Sequence, residues 1–430
     1  MHCCAVTSAA GPPVEQAIAA DMTQPTGLHG VQPRLPANGW PLVAGLSLAQ
    51  LVSWGSIYYA FSLFVVPMEA DLGWSRTALN GALSLGLMAA GLCAYPVGRL
   101  IDSHGGRWLM SAGSLLAVLL LVAWSQVEHI AAFYAIWFGL GVAMALTLYE
   151  PVFAVLTRQF PENYRFRITI LTLTGGFAST VFIPLTAWWV EGLGWRDALL
   201  ALAACNLLWC LPVHLFWLRD RAAAPLPEAE LSAAPGSPMK RALRHPVFWG
   251  LALCFTFYYA TFSALTFHFI PMFDERGIPL ALAVGVIAVI GPAQVAGRII
   301  LLVFGRRLSA AGTGRIIVLM FPASVALLIV FPDSIAALFA FAVIYGCANG
   351  IMTIVRGTAV PDLMWREGYG AINGALTLPS NMAKALAPSV AAFVWVIAGN
   401  YGPVLWVILA GALVSAAGFW FAAAKSAPKA

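Results

Sequence analysis

The sequence predicts an all-α membrane protein whose twelve transmembrane helices form two pseudo-symmetric six-helix bundles. Three observations lead there. Hydrophobic residues fill 61% of the chain and charged residues only 10%, where a soluble domain carries charge on about a quarter of its positions. Apolar runs recur at lengths that cross ~30 Å of hydrocarbon at ~1.5 Å per residue. Short motifs of the first half also return in the second at a nearly constant offset.

Residues 1–39 mix Ala, Pro, Gly and Gln without an apolar core of signal-peptide length, and are expected to form a disordered cytosolic tail. The apolar runs follow near 40–67, 76–100, 108–126, 130–156, 167–190, 196–218, 246–272, 280–303, 312–331, 334–357, 369–398 and 402–424. The first six make an N-terminal bundle over 40–218 and the last six a C-terminal bundle over 246–424. Between them, residues 219–245 hold four prolines and the densest charge of the chain, the composition of a flexible cytosolic linker. Residues 425–430 are expected to be a short cytosolic tail.

The repeat makes the two halves equivalent. PMEADLG, Pro67 to Gly73, returns as PMFDERG, Pro271 to Gly277, at an offset of 204. Leu171, Thr172 and Leu173 return as Leu376, Thr377 and Leu378 at 205, and Gly139 returns as Gly346 at 207. Parallel halves related by an axis along the membrane normal place a ligand site between them, near the midplane.

Orientation follows from Lys and Arg. With the N-terminus in the cytosol, 19 of the 23 lie on or near that side, Arg76, Arg196 and Arg276 lie opposite, and Lys384 is mid-membrane. Positive-inside bias then puts both termini in the cytosol, and the cell (inner) membrane is the expected location. The net charge of +5 is scattered singly along loops, so the lipid bilayer and not a nucleic acid is the partner it implies. The seven cysteines show no CxxC or metal spacing, and no cofactor or metal is expected. No HExxH, no paired intramembrane aspartates and no GxxxxGK occur, which argues against an enzyme and against ATP-driven transport by this chain. A monomer is expected.

Four charges fall inside spans, where each is costly unless paired or hydrated. Arg298 lies eight residues before Arg306 and Glu150 eight before Arg158, each about 12 Å deeper along its helix. Lys384 is 18 residues beyond Arg366, near the bilayer centre, and Arg356 ends the tenth run. The planar guanidinium of Arg298 suits a carboxylate bidentately, which makes it a candidate anion site. Lys384 shares a helix face with Thr377, Ser380, Asn381 and Pro388, a polar stripe expected to face a central cavity. Asn381 joins the candidate site on that ground.

Glu150 and Arg356 occupy nearly equivalent positions in the two halves and are expected to pair when the cytosolic side closes. Alternatively Glu150 carries the coupling proton, and the two roles are compatible. His268, near the outer end of the seventh span, is a further titratable candidate or a simple interfacial anchor. Of the adjacent Tyr58 and Tyr59, either can offer the cavity a hydroxyl, and Tyr59 is counted with the site.

The polar hinge GRLIDSHGGR, Gly98 to Arg107, is wedged between two apolar runs, and its charges must sit at a membrane face. Gly98, Leu100, Asp102, Gly105 and Arg107 resemble the loop signature after the second span of the major facilitator superfamily (MFS). The resemblance implies the MFS fold, secondary active transport, and an Asp and Arg pairing across the cytosolic gate. Ser103 and Gly106 stand where that signature carries basic residues, which implies a weaker gate.

A narrower resemblance rests on Gly39 and Trp40, on GWSR from Gly73 to Arg76, on GWR from Gly194 to Arg196, and on the arginine of the eighth span. These are similar to the monocarboxylate transporter branch and its bacterial relatives. By that resemblance Arg298 holds the substrate carboxylate. Gln294 stands where the branch has an acidic residue one turn earlier, and no lysine occurs between Trp40 and Pro67, so its proton-coupling residues do not carry over. Gln294 is retained as a substrate-binding candidate. The function expected is alternating-access transport of a small organic anion, a monocarboxylate, coupled to protons or to anion exchange. The alternative is export of drugs or other toxic solutes, against which the fifth span lacks a glycine-rich GP run: Gly175 and Gly176 are followed by Pro184 only eight residues on.

Overall fold

The computed structural model describes residues 39–219, 237–304 and 310–426. Among these there are no strands, and twelve helices are long and apolar enough to cross a membrane. They are α1 (Trp40–Leu72), α2 (Arg76–His104), α3 (Arg107–Ser125), α4 (Ile130–Gln159), α5 (Tyr164–Leu193) and α6 (Trp195–Trp217), then α7 (Pro246–Glu275), α8 (Leu280–Phe304), α9 (Ala311–Val330), α10 (Ile335–Leu363), α11 (Tyr369–Ala398) and α12 (Tyr401–Lys425). The expected tail over 1–39, except Gly39, the expected linker over 220–236, and 427–430 lie outside the described residues.

Two expectations change. The hinge after the second span is almost entirely helical: α2 runs through Asp102 to His104 and stops only where Gly105 adopts φ +89°. Asp102 therefore projects from a final helical turn and not from a loop. Part of the expected linker is also a helix, Pro238–Arg244, capped by the Ser237 hydroxyl on the Lys240 N–H. Its Arg241 pairs with Glu367 at 3.0 Å and lies over the Trp365 ring. The next residue, His245, caps α7 by accepting from the Val247 N–H. Burial lowers the His245 pKa, which favours the neutral imidazole that this bond requires.

Several helices are interrupted near their middles. In α1, residues Gly55–Tyr59 form a π-turn closed by the Ala60 N–H on the Gly55 carbonyl at 2.9 Å. In α4, Leu148 leaves helical geometry with ψ −156°, so the helix restarts at Tyr149. In α5, the helix pauses at Gly176 and Phe177. Such breaks are tolerated at membrane depth where they are buried in protein or line a polar cavity. Here they orient Tyr58, Tyr59, Tyr149 and Glu150.

The first and last six helices meet along α2 and α11. Water cannot drive helix association in lipid, so close packing by small residues takes its place. A Cβ at Gly98 would collide with the Gly370 carbonyl, and one at Gly374 with the Ala94 carbonyl. The seam climbs from the end of α2, here called the hinge face, to Leu87 and Asn381. Near that face the apolar core is shared by both halves, with Val97, Ile101 and Phe153 joined to Phe255, Ile372 and Leu376. Towards the opposite face, a separate core around Trp124, Trp137, Phe64 and Phe133 belongs to the first six helices alone. The halves are thus closed together at the hinge face.

Candidate substrate site and gate

Above the seam, three tyrosines of broken helices and two basic residues share one region. Lys384, on α11, donates to the Tyr58 hydroxyl at 2.8 Å, and its ammonium lies 4.6 Å from the centroid of that ring. Arg298, on α8, is only 4% exposed. Its Nε donates to the Gly350 carbonyl of α10 at 3.2 Å, while Nη1 is buried without a hydrogen-bond partner and rests against Gly176 of α5. Both cations lie within electrostatic reach of Tyr59, and Arg298 also of Tyr149. The ion pairs among the described residues are Arg76 with Glu69, Arg165 with Asp362, Arg196 with Asp71 and Arg241 with Glu367. None supplies a carboxylate to Arg298 or Lys384. The phenol oxygens of Tyr59 and Tyr149 have no hydrogen bond among the described residues and are not sealed from solvent.

Gln294 lies one turn before Arg298, but its backbone carbonyl is what packs closely, against Gly350. Asn381 does not face the cations. Its side chain presses on Gly91 of α2 and points Nδ2 at the Leu87 carbonyl, 3.5 Å away. The polar stripe of α11 passes from cavity to seam along its length, so residues on one face meet different surroundings.

Glu150 and Arg356 form no ion pair although the hinge face is closed. The Arg356 guanidinium is instead held within α10 and α11, donating to the Asn373 side chain and to the Thr377 hydroxyl, over the Phe255 ring. Those bonds supply locally what the expected partner would have supplied. Glu150 retains a carboxylate with no hydrogen bond among the described residues, in a half-buried position beside Tyr149 and within electrostatic reach of Tyr259. His268 bridges α7, α11 and α12: Nδ1 meets the Tyr401 hydroxyl at 2.9 Å and Nε2 the Pro388 carbonyl at 3.0 Å. Both nitrogens are thereby engaged within the last six helices.

The hinge motif makes a gate of different chemistry from the expected Asp and Arg pair. Asp102 accepts from the backbone N–H groups of Gly370 and Ala371 at 2.9 and 2.8 Å, capping the N-terminus of α11 where the helix dipole favours an anion. Gly98 lets α2 and α11 come close enough for this, and Gly105 turns the chain just beyond. Arg107 points back into its own half, donating to the Leu215 carbonyl at 2.8 Å. Arg158 braces the gate by donating to the Ile101 and Asp102 carbonyls at 2.6 and 2.7 Å.

A second latch escaped the sequence reading. Asp362, at the end of α10, accepts from Tyr164 and from Arg165 Nε at 2.7 Å, both at the start of α5. Its only sequence trace was an acidic residue at a span end, which describes many solvated loops equally well.

Residues 46–388 match the family model described as Major Facilitator Superfamily. The chain belongs to the major facilitator superfamily. This MFS chain is 24% identical over 376 residues to monocarboxylate transporter 13 of Bos taurus, covering 84% of each protein. It is 23% identical over 324 residues to an agnestins efflux protein of Paecilomyces divaricatus, covering 74% of this chain and 70% of that one. Among solved structures it is similar to the fucose:proton symporter of E. coli, with a TM-score of 0.70 and 16% identity over 90% of this chain and 99% of the other. The MFS chain is a multi-pass membrane transporter, not an enzyme, and takes a small-molecule substrate within the membrane.

Proposed function

We propose that this transporter moves a small organic anion, a monocarboxylate, by alternating access, driven by protons or by exchange. The observation that carries this reading is the pair Arg298 and Lys384, two basic groups near the midplane with no carboxylate at ion-pair distance among the described residues. A charge kept in such a place without a counterion is best explained by an anionic visitor. The similarity to monocarboxylate transporter 13 supports the same substrate class.

In this reading Arg298 is the carboxylate clamp, Lys384 the second cation and Tyr59 a hydroxyl donor, while Glu150 carries the proton. The chain works as a monomer in the cell (inner) membrane, with bundles at 40–218 and 246–424 around a cytosolic linker. The hinge face is cytosolic by its Lys and Arg bias, so the closed α2 and α11 seam corresponds to an outward-facing state. The test is thermal-shift measurement of purified protein against a panel of carboxylates, repeated with Arg298→Ala. Stabilisation by an acid should vanish in the variant. Stabilisation that survives removes Arg298 from the site.

A second reading, export of toxic solutes, is favoured by the similarity to an efflux protein. Greater drug sensitivity of a deletion strain, reversed by the wild-type gene, would favour it over anion uptake.

A further inference from the structure

The first six helices contain two clusters of aromatic rings, and they differ in one respect. Around Trp124, Trp137, Phe64 and Phe133 the rings are fully buried, each at 0% exposure, and act as core. Around Trp54, Tyr58, Tyr59 and Tyr149 the rings are equally close, with centroids 5.0 to 6.0 Å apart, yet all four are only half-buried. Their packing is incomplete. They stand on the broken stretches of α1 and α4, and the Trp54 indole N–H is buried with no hydrogen-bond partner. Facing them from the other half are Lys384, already over the Tyr58 ring, and Arg298, within reach of Tyr59 and Tyr149.

The two recognition chemistries are therefore divided between the halves: π faces from α1 and α4, cations from α8 and α11. We propose that the anion taken by this site is an aromatic monocarboxylate, its carboxylate on Arg298 and Lys384 and its ring against Trp54 and Tyr149. This rests on the reading of Arg298 and Lys384 as the anion site. Offset or edge-to-face contact with four rings is available only to a flat π system, and a two- or three-carbon acid would leave them wet. A ligand touching both halves at once also ties recognition to their approach. Affinity then depends on the closure that transport requires.

The experiment compares matched acids on the purified full chain by thermal shift and calorimetry: phenylpyruvate against pyruvate, 3-phenyllactate against lactate, and benzyl alcohol as a neutral arene. Each aromatic acid should bind at least about tenfold more tightly than its aliphatic partner. The ratio of the two affinities should fall towards about one in Trp54→Leu and in Tyr149→Leu. Reading a ratio within each variant separates a lost ring contact from a general loss of folded protein. Equal binding of phenylpyruvate and pyruvate would overturn the aromatic assignment and leave the anion site standing. Binding of benzyl alcohol with no binding of either acid would overturn the anion reading itself, and this inference with it.

Discussion

The guanidinium of Arg298 in α8 occupies the space that any side chain at residue 176 of α5 would need. One half of the transporter thus shapes the position of the other half's central cation. Gly176→Val should push the guanidinium aside and lower initial uptake in proteoliposomes at least ~tenfold, a loss of ~1.4 kcal/mol. In an Arg298→Ala background the same substitution should cost nothing further, because neighbours that act together are not additive. Full additivity of the two losses would show that Gly176 matters for some other reason.

Tyr58 holds Lys384 through a hydrogen bond of 2.8 Å as well as through its ring. Tyr58→Phe keeps the ring and removes the bond. The apparent KM should rise ~3- to 10-fold, which corresponds to ~1 kcal/mol for one charged hydrogen bond exchanged for water. Lys384→Met should raise it further. An unchanged KM in both variants would take Lys384 out of substrate binding.

Asp102 joins the halves by capping α11 with two backbone hydrogen bonds. Asp102→Asn removes the negative charge, and with it ~0.3–2 kcal/mol of interaction with the helix dipole. Spin labels at Ser103→Cys and Arg366→Cys should report a larger population of long distances across the hinge face in the variant. Asp362→Asn, which weakens the second latch to Tyr164 and Arg165, should add to the effect. A distance distribution indifferent to both changes would mean that neither aspartate sets the conformational balance.

Glu150 is the half-buried acid nearest the tyrosines of the site, and no hydrogen bond holds it among the described residues. In Glu150→Gln, uptake driven by an inward pH gradient should be lost while exchange of internal for external substrate continues. Flux measured in both modes decides it: gradient-driven uptake at the wild-type rate assigns the proton to another group.

The twelve spans were legible because lipid demands long apolar runs, and the repeat announced paired halves. Asp102 was legible as a gate residue but its partner was not, since the N–H groups of Gly370 and Ala371 carry no mark of residue type. The expected pairing of Glu150 with Arg356 rested on equivalent positions in the repeat. It overlooked Asn373 and Thr377, one helix away, which satisfy that arginine. Asn381 was read with Lys384 because helical spacing aligns them, yet spacing does not say where a cavity ends and a helix contact begins. Tyr149 stayed hidden inside an apolar run until the break at Leu148 turned it towards the cations.

The π-turn of α1 carries a final consequence. It accommodates one residue more than a regular turn, so everything after it is rotated by about 100° from where an unbroken helix would put it. Tyr58 and Tyr59 owe their heading to a count of residues as much as to their identity. A deletion of one amino acid anywhere in Gly55–Tyr59 would leave the span apolar and long enough for lipid while swinging the phenols round the helix axis. For this transporter, losing a single codon there would be more damaging than most exchanges of one side chain for another.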